Sequence, residues 1–301
     1  MSVHHPIVAL TGSSGAGTTT AGKAMQRIFD RLKVKPAVVA GDSFHRFTRR
    51  QMAALAAEGK YGENNHFSLA ANHLDRLEAL FQEYGQQGTG QYRHYVHEDD
   101  KALIAEGFES GTFSSWRDLP ADTDLLFYEG LHAGVVADSV NLLRYVDLLI
   151  GVVPIVNLEW IQKIHRDTHF RGYSQEAVIH TILGRMEDYV RYIVPQFGHT
   201  HVNFQRVPMV DTSNPFASCD IPTDEESIVV IHCRKAGVDF PQLLQAIPGS
   251  FRSRPDTLVI PGNRLFLAFD LIIQPWVEEL MSRKQAVGAG SVGEGSATAA
   301  E

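Results

Sequence analysis

The stretch Gly12-Ser13-Ser14-Gly15-Ala16-Gly17-Thr18-Thr19 constrains the fold of this chain more than any other. It follows an apolar run at 7–10 and precedes a helical pattern over 19–32. Strand, glycine-rich turn and helix start, in that order, point successive backbone amides at one place, and the partial charge of the helix terminus favours an anion there. The spacing is that of G-x-x-x-x-G-K-[ST], the phosphate loop of nucleotide-binding α/β proteins. Gly12, Ser13, Ser14, Gly15, Ala16, Gly17, Thr18, Thr19 and Thr20 are therefore the candidate ATP contacts. Thr19 fills the hydroxyl position that ligates Mg²⁺. Thr18 stands where the pattern has lysine, so a cation from elsewhere must reach the β- and γ-phosphates.

Further apolar runs at 37–40, 125–128 and 146–153 read as buried strands. Helical patterns fall between them, at 70–84 and 157–167, and another covers 174–192 with Ser174 as its N-cap. This alternation predicts a parallel sheet covered on both faces. Strand-like runs at 207–210, 227–233 and 257–260 are closely spaced and extend the sheet antiparallel at one edge. The polar, glycine-rich stretch 85–120 is long for an irregular segment of a compact domain, which marks it as functional or mobile. Residues 1–285 read as one domain, and the Ala/Gly/Ser-rich stretch 286–301 as a disordered tail.

Three further groups carry chemistry. The strand at 125–128 ends in Glu129, placed to hold Mg²⁺ beside a phosphate loop. Asp42 falls at the end of the second strand, where ligands of open parallel sheets bind, and is the candidate general base for a hydroxyl acceptor. His45 and Arg49, one helical turn apart, are placed to contact a phosphate on that acceptor. In the helix at 157–167, Lys163, Arg166 and Asp167 share one face. With Arg171, the basic members are the candidates for the cation that the loop lacks.

Composition bounds the rest. A formal net charge of -8 leaves no basic excess for a nucleic-acid backbone. Two cysteines, Cys219 and Cys233, give neither a disulfide framework nor a zinc site. No run is long and apolar enough to span a bilayer, and the cytoplasm is the expected compartment.

The segments GSSGAGTTT, GDSFHRF, YEGLHAG, NLEWIQKIHRD and VDTSNPF, in this order, resemble the bacterial phosphoribulokinases over residues 6–281. The resemblance implies a P-loop NTPase fold of the nucleotide monophosphate kinase type, with a mixed, mostly parallel sheet flanked by helices. It implies ATP-dependent phosphorylation of D-ribulose 5-phosphate at O1, with Mg²⁺, and it explains Thr18, since that branch carries threonine there. It makes Asp42 the catalytic base, Asp167 a second essential acid, and His45, Arg49 and Arg171 the sugar-phosphate contacts. Lys163 and Arg166 then neutralise charge, Thr19 and Glu129 serve the metal, and His97 lines the acceptor pocket. It further implies a homo-oligomer, often an octamer, activated by NADH and inhibited by AMP, with Arg31, Arg234 and Arg254 as regulatory contacts. Ala16 occupies the position of the redox-switch cysteine of plant forms, so that control is not expected. Two other readings share the loop: a uridine or pantothenate kinase relative, and a nucleotide-binding regulator without turnover. The acceptor motifs argue against the first and the complete set of base, metal and basic positions against the second.

Overall fold

A computed structural model of the chain describes residues 4–293 apart from 14, 59–64, 218 and 219. Eight strands form one sheet: β1 Ile7–Gly12, β2 Pro36–Ala40, β3 Leu125–Gly130, β4 Leu148–Val153, β5 Val202–Pro208, β6 Ser227–Cys233, β7 Phe251–Arg254 and β8 Thr257–Pro261, in the spatial order β7-β8-β6-β5-β4-β1-β3-β2. The five strands from β2 to β5 are mutually parallel. The other three add antiparallel. The α-helices of seven residues or more are α1 Thr18–Leu32, α2 Arg49–Ala57, α3 Leu74–Gln87, α4 Val156–His169, α5 Gln175–Gly184, α6 Phe240–Ala246 and α7 Leu265–Gly293. The mixed, mostly parallel sheet flanked by helices matches the expected fold class.

Alternation along β1 explains why a parallel strand reads as an unbroken apolar run. Val8 and Leu10 enter a core with α1, α6 and α7, while Ile7 and Ala9 enter a second core with α3 on the opposite face. All four are fully buried. Both faces of the strand are covered, so all four of these positions are apolar.

The structure departs from the sequence reading in several places. The strand expected at 207–210 runs instead over Val202–Pro208, where it pairs in parallel with β4. Met209 and Val210, apolar but beyond the ladder, are exposed. The helix expected over 174–192 does begin at a Ser174 cap, whose hydroxyl accepts from the Ala177 amide. It ends at Gly184, and a short turn and a π-helical turn at Tyr189–Ile193 follow. The stretch 85–120 is an ordered arm. Its legs pair at Gln91–Tyr92 with Arg117–Asp118 and at Tyr95 with Phe113. The expected tail begins inside the last turns of α7, which reach Gly293, and residues 294–301 lie outside the described residues.

Candidate active site

Four strand ends meet along one edge of the sheet, in the spatial order β2, β3, β1, β4. Register sets both Ala40 and Leu10 beside Glu129, and Gly12 beside Val152. From these ends the chain enters, in turn, the segment carrying Asp42, the Glu129-Gly130 strand end, the glycine-rich loop, and α4 with Lys163. That edge is where an open parallel sheet binds its ligands.

The loop closes by a hydrogen bond from the Ala16 amide to the Ser13 carbonyl at 3.0 Å. Gly17 is the N-cap of α1 with φ of 100°, and no side chain caps the helix. A Cβ at Gly17 would meet nothing within 4 Å, so glycine is needed there for its backbone angle alone. First-turn amides without a side-chain cap, at a dipole's positive end, form an anion site. Ser14, expected among the contacts, lies outside the described residues. Thr19 and Thr20 are exposed at the helix start.

Glu129 lies against α1 because residue 22 has no side chain: a Cβ at Gly22 would stand 2.6 Å from its Oε2. Burial pushes its carboxyl up to about 7, opposed by a hydrogen bond from Thr18. The hydroxyl facing Glu129 is thus that of Thr18, the residue in the lysine position. Among the described residues no three His, Cys, Asp or Glu side chains form a metal cage. Magnesium in phosphoryl transfer needs fewer, one or two carboxylates completed by phosphate oxygens and water. Glu129 supplies one such carboxylate, which a cation beside it would favour in the ionised form, and the anion site at the helix start would hold the phosphate oxygens that complete the set.

On the acceptor side, Asp42 sits in the 3₁₀ turn Gly41–Phe44 directly after β2. One imidazole faces each carboxylate oxygen: His45 Nε2 lies 3.1 Å from Oδ1, and His97 Nε2 lies 3.5 Å from Oδ2. The buried Asn72 orients His45. Its amide nitrogen donates to the carbonyls of Ser68 and His66, so its Oδ1 must accept from His45 Nδ1, 2.7 Å away. That contact leaves Nε2 as the ring nitrogen that faces Asp42. His66 stacks on His45 with centroids 3.9 Å apart. Burial works to raise the Asp42 pKa, but the His45 hydrogen bond and the neighbouring histidine charges hold it far below the usual carboxylate range. Arg49 pairs with Glu98 at 2.6 Å and contacts Tyr95, whose ring lies 5.0 Å from that of His97.

The third group centres on Asp167. Lys163 pairs with its Oδ2, while Arg166 and Arg171 reach Oδ1 at 2.9 Å and 3.2 Å. Lys163 and Asp167 are buried and Arg171 is exposed. Burial, and then the nearby Arg185 charge, pull the Lys163 ammonium down to about 8. Arg185 in turn pairs with buried Glu159 at 3.5 Å. The two groups face each other: His66 feels Asp42 and His45 from one side, Arg185 and Lys163 from the other. Tyr95 feels Arg49, Asp42 and Arg171 together.

The predicted residues Asp42, His45, Arg49 and His97 thus share one cluster, and Lys163, Arg166, Asp167 and Arg171 another. The regulatory candidates lie elsewhere. Arg31 binds Asp270 and Gln274 of α7. Arg234 donates to the Phe197 carbonyl and to Thr200. Arg254 is exposed on the edge strand β7. Sequence reasoning missed Asn72, His66, Tyr95, Glu98 and Arg185. Asn72 and His66 had no signal beyond being polar residues just before a helix, whereas Arg185 could have been found as a basic residue interrupting a helical pattern.

The fold and this edge define a P-loop protein, with an anion loop between β1 and α1 and a carboxylate flanked by two imidazoles at a neighbouring strand end. Comparison narrows the class. The sequence model of the phosphoribulokinase / uridine kinase family matches residues 7–213, and the chain belongs to that family. It is 54% identical over 289 residues to the chromosomal phosphoribulokinase of Cupriavidus necator, covering 95% of this chain and 99% of the relative. It is also 54% identical over 292 residues to the phosphoribulokinase of Xanthobacter flavus, covering 96% and 100%. The solved phosphoribulokinase from Rhodobacter spheroides superposes with a TM-score of 0.85 at 48% identity, over 94% of this chain and 100% of that one.

Proposed function

We propose that this chain is a phosphoribulokinase, transferring the γ-phosphoryl group of ATP to the 1-hydroxyl of D-ribulose 5-phosphate and releasing ADP and ribulose 1,5-bisphosphate, a step of Calvin-cycle carbon fixation. One observation carries the reading: a phosphate loop and a carboxylate bracketed by two imidazoles open side by side on one sheet edge. The likeness to phosphoribulokinases across nearly the whole chain supports the choice of acceptor.

In this reading the amides of residues 12–20 cradle the nucleotide phosphates. His45, Arg49, His97 and Arg171 hold the sugar phosphate. As the 1-oxygen bonds to the γ-phosphorus, Asp42 takes its proton, and the bond from that phosphorus to the β–γ bridging oxygen breaks. Asp42 is ionised in the free enzyme because the histidines stabilise its charge. An anionic acceptor drawing His45 and His97 toward itself weakens that stabilisation and returns basicity to the carboxylate. Lys163, Arg166 and Arg185 offset charge developing on the transferred group, as the loop lacks a lysine of its own. Asp167 keeps those cations converged. Magnesium, held by Glu129 and a loop threonine, would neutralise charge on the β- and γ-phosphate oxygens.

The proposal extends to a cytoplasmic homo-oligomer, an octamer on the family pattern, with NADH as activator at sites that use Arg31, Arg234 and Arg254. Among the described residues no helix is long and apolar enough to cross a membrane. The segments 171–192 and 85–120 are the two candidates for a lid.

The test is Asp42→Asn. Wild-type protein should convert ribulose 5-phosphate to the bisphosphate. The variant should lose on the order of 10³-fold in kcat, within the range for a removed general base, while binding ATP as before. Near-normal turnover in the variant would remove Asp42 from the role.

A further inference from the structure

The turn that presents Asp42 and His45 is held through its backbone carbonyls by a side chain from another segment. Arg93, on the first leg of the arm, donates from Nε to the Ser43 carbonyl at 2.9 Å and from a terminal nitrogen to the His45 carbonyl at 2.5 Å. Its guanidinium lies 3.7 Å from the centre of the Phe113 ring and 4.9 Å from that of Trp116. Trp116 in turn packs on Phe44 of the same turn, at 5.7 Å, and carries Arg76 at 4.5 Å. The fork is therefore fixed in plane by aromatic rings and aimed at two carbonyls that bracket Phe44.

Those two hydrogen bonds join separate parts of the acceptor pocket. The turn brings Asp42 and His45, and the arm brings Tyr95 and His97 only a few residues beyond Arg93. His97 must come within 3.5 Å of Asp42 from the arm, while His45 approaches at 3.1 Å from the turn. Besides the Trp116–Phe44 packing, the arm is tied to this region through Arg49, whose amide donates to the Gly111 carbonyl at 2.8 Å and whose side chain pairs with Glu98. The Glu98 side chain is about half exposed, 53%, and an exposed ion pair holds position weakly. Arg93 is half-buried, and its planar fork offers what a lysine, with a single point charge on a flexible stem, does not.

We propose that Arg93 is a positioning residue for phosphoryl transfer, setting the Asp42 carboxylate against His97 by locking the base-bearing turn to the arm. The inference rests on the activity read above. It separates from a purely structural role because the Arg93 hydrogen bonds go to the base-bearing turn and not to the phosphate loop between β1 and α1.

The experiment compares wild type, Arg93→Ala, Arg93→Lys and Arg76→Ala in steady-state assays with ATP and ribulose 5-phosphate, alongside ATP binding by calorimetry. Arg93→Ala should lose on the order of 10²-fold in kcat/KM for the acceptor, the scale of a roughly 1 Å misplacement of reacting groups, with ATP affinity kept. Arg93→Lys should recover part of that loss. Arg76→Ala, which removes a cation from the same aromatic stack without touching the turn, should behave as wild type. If Arg93→Ala does not fold, Arg93→Lys carries the test through the same split between acceptor and ATP parameters. Acceptor kinetics equal to wild type in the Arg93 variants overturns the proposal, and so does an equal loss of ATP affinity. A wild type without turnover would instead indict the activity reading, which this comparison detects in its first sample.

Discussion

Asp42 meets two imidazoles, one on each oxygen, and the consequences of that arrangement are electrostatic. Its charge is stabilised in the free protein, so the acid limb of any pH profile belongs to groups other than this carboxylate. Glu129 behaves in the opposite sense. Its carboxyl is raised from 4.5 to about 7, so the fold prefers it neutral. The stability it contributes is complete below its ordinary value and is lost as pH rises through about 7. Glu129→Gln, measured without metal, should therefore match wild type in Tm near about pH 4 and exceed it above about pH 7. A variant less stable than wild type at the higher pH would contradict the burial argument. Lys163→Met tests the borrowed cation. Asp167 keeps Arg166 and Arg171, so the acid is not orphaned, and a fall in kcat of roughly 10²–10³-fold reads the missing charge at the transferring group. Unchanged kinetics would hand that role to another residue.

Among the elements, those whose signal is local were legible in the chain. The glycine-rich turn, the strand before it and the helix after it are specified by neighbours in sequence, and strand and helix stand where their patterns place them. The arm was not legible, because it has no hydrophobic period. Its order comes from Arg93, Gly111 and Phe113 contacts that span tens of residues. β5 starts five residues before the expected run for a related reason: Met209 and Val210 look as strand-like as Val202 and Phe204, and only pairing with β4 and β6 distinguishes them. Helix α7 went unread, with Pro275 inside it, yet it seals one core face. Phe269 stacks on Phe204 at 4.3 Å and is fully buried. Phe269→Ala should cost about 3–5 kcal/mol in urea unfolding, with kcat preserved while the protein remains folded. A loss of kcat without loss of stability would place α7 in the chemistry instead of the scaffold.

At the scale of the whole molecule, the sheet is what brings distant residues into one cleft. Asp42, Glu129, the loop and Lys163 come from four crossover connections that all exit the same edge, and parallel register aligns their starting points. The antiparallel strands and α7 complete the core away from that edge. The candidate catalytic residues were legible as isolated strand-end and helix-face positions. Their grouping into an acceptor half and a cationic half, bridged by His66 and Tyr95, was not, since no spacing rule encodes contacts between segments so far apart. The most direct test of the account is the initial rate of ADP release with saturating ATP against ribulose 5-phosphate, ribose 5-phosphate, uridine and pantothenate. Ribulose 5-phosphate should give the highest kcat/KM of the four by a wide margin. A higher value for any of the other three would contradict the assignment of the acceptor pocket.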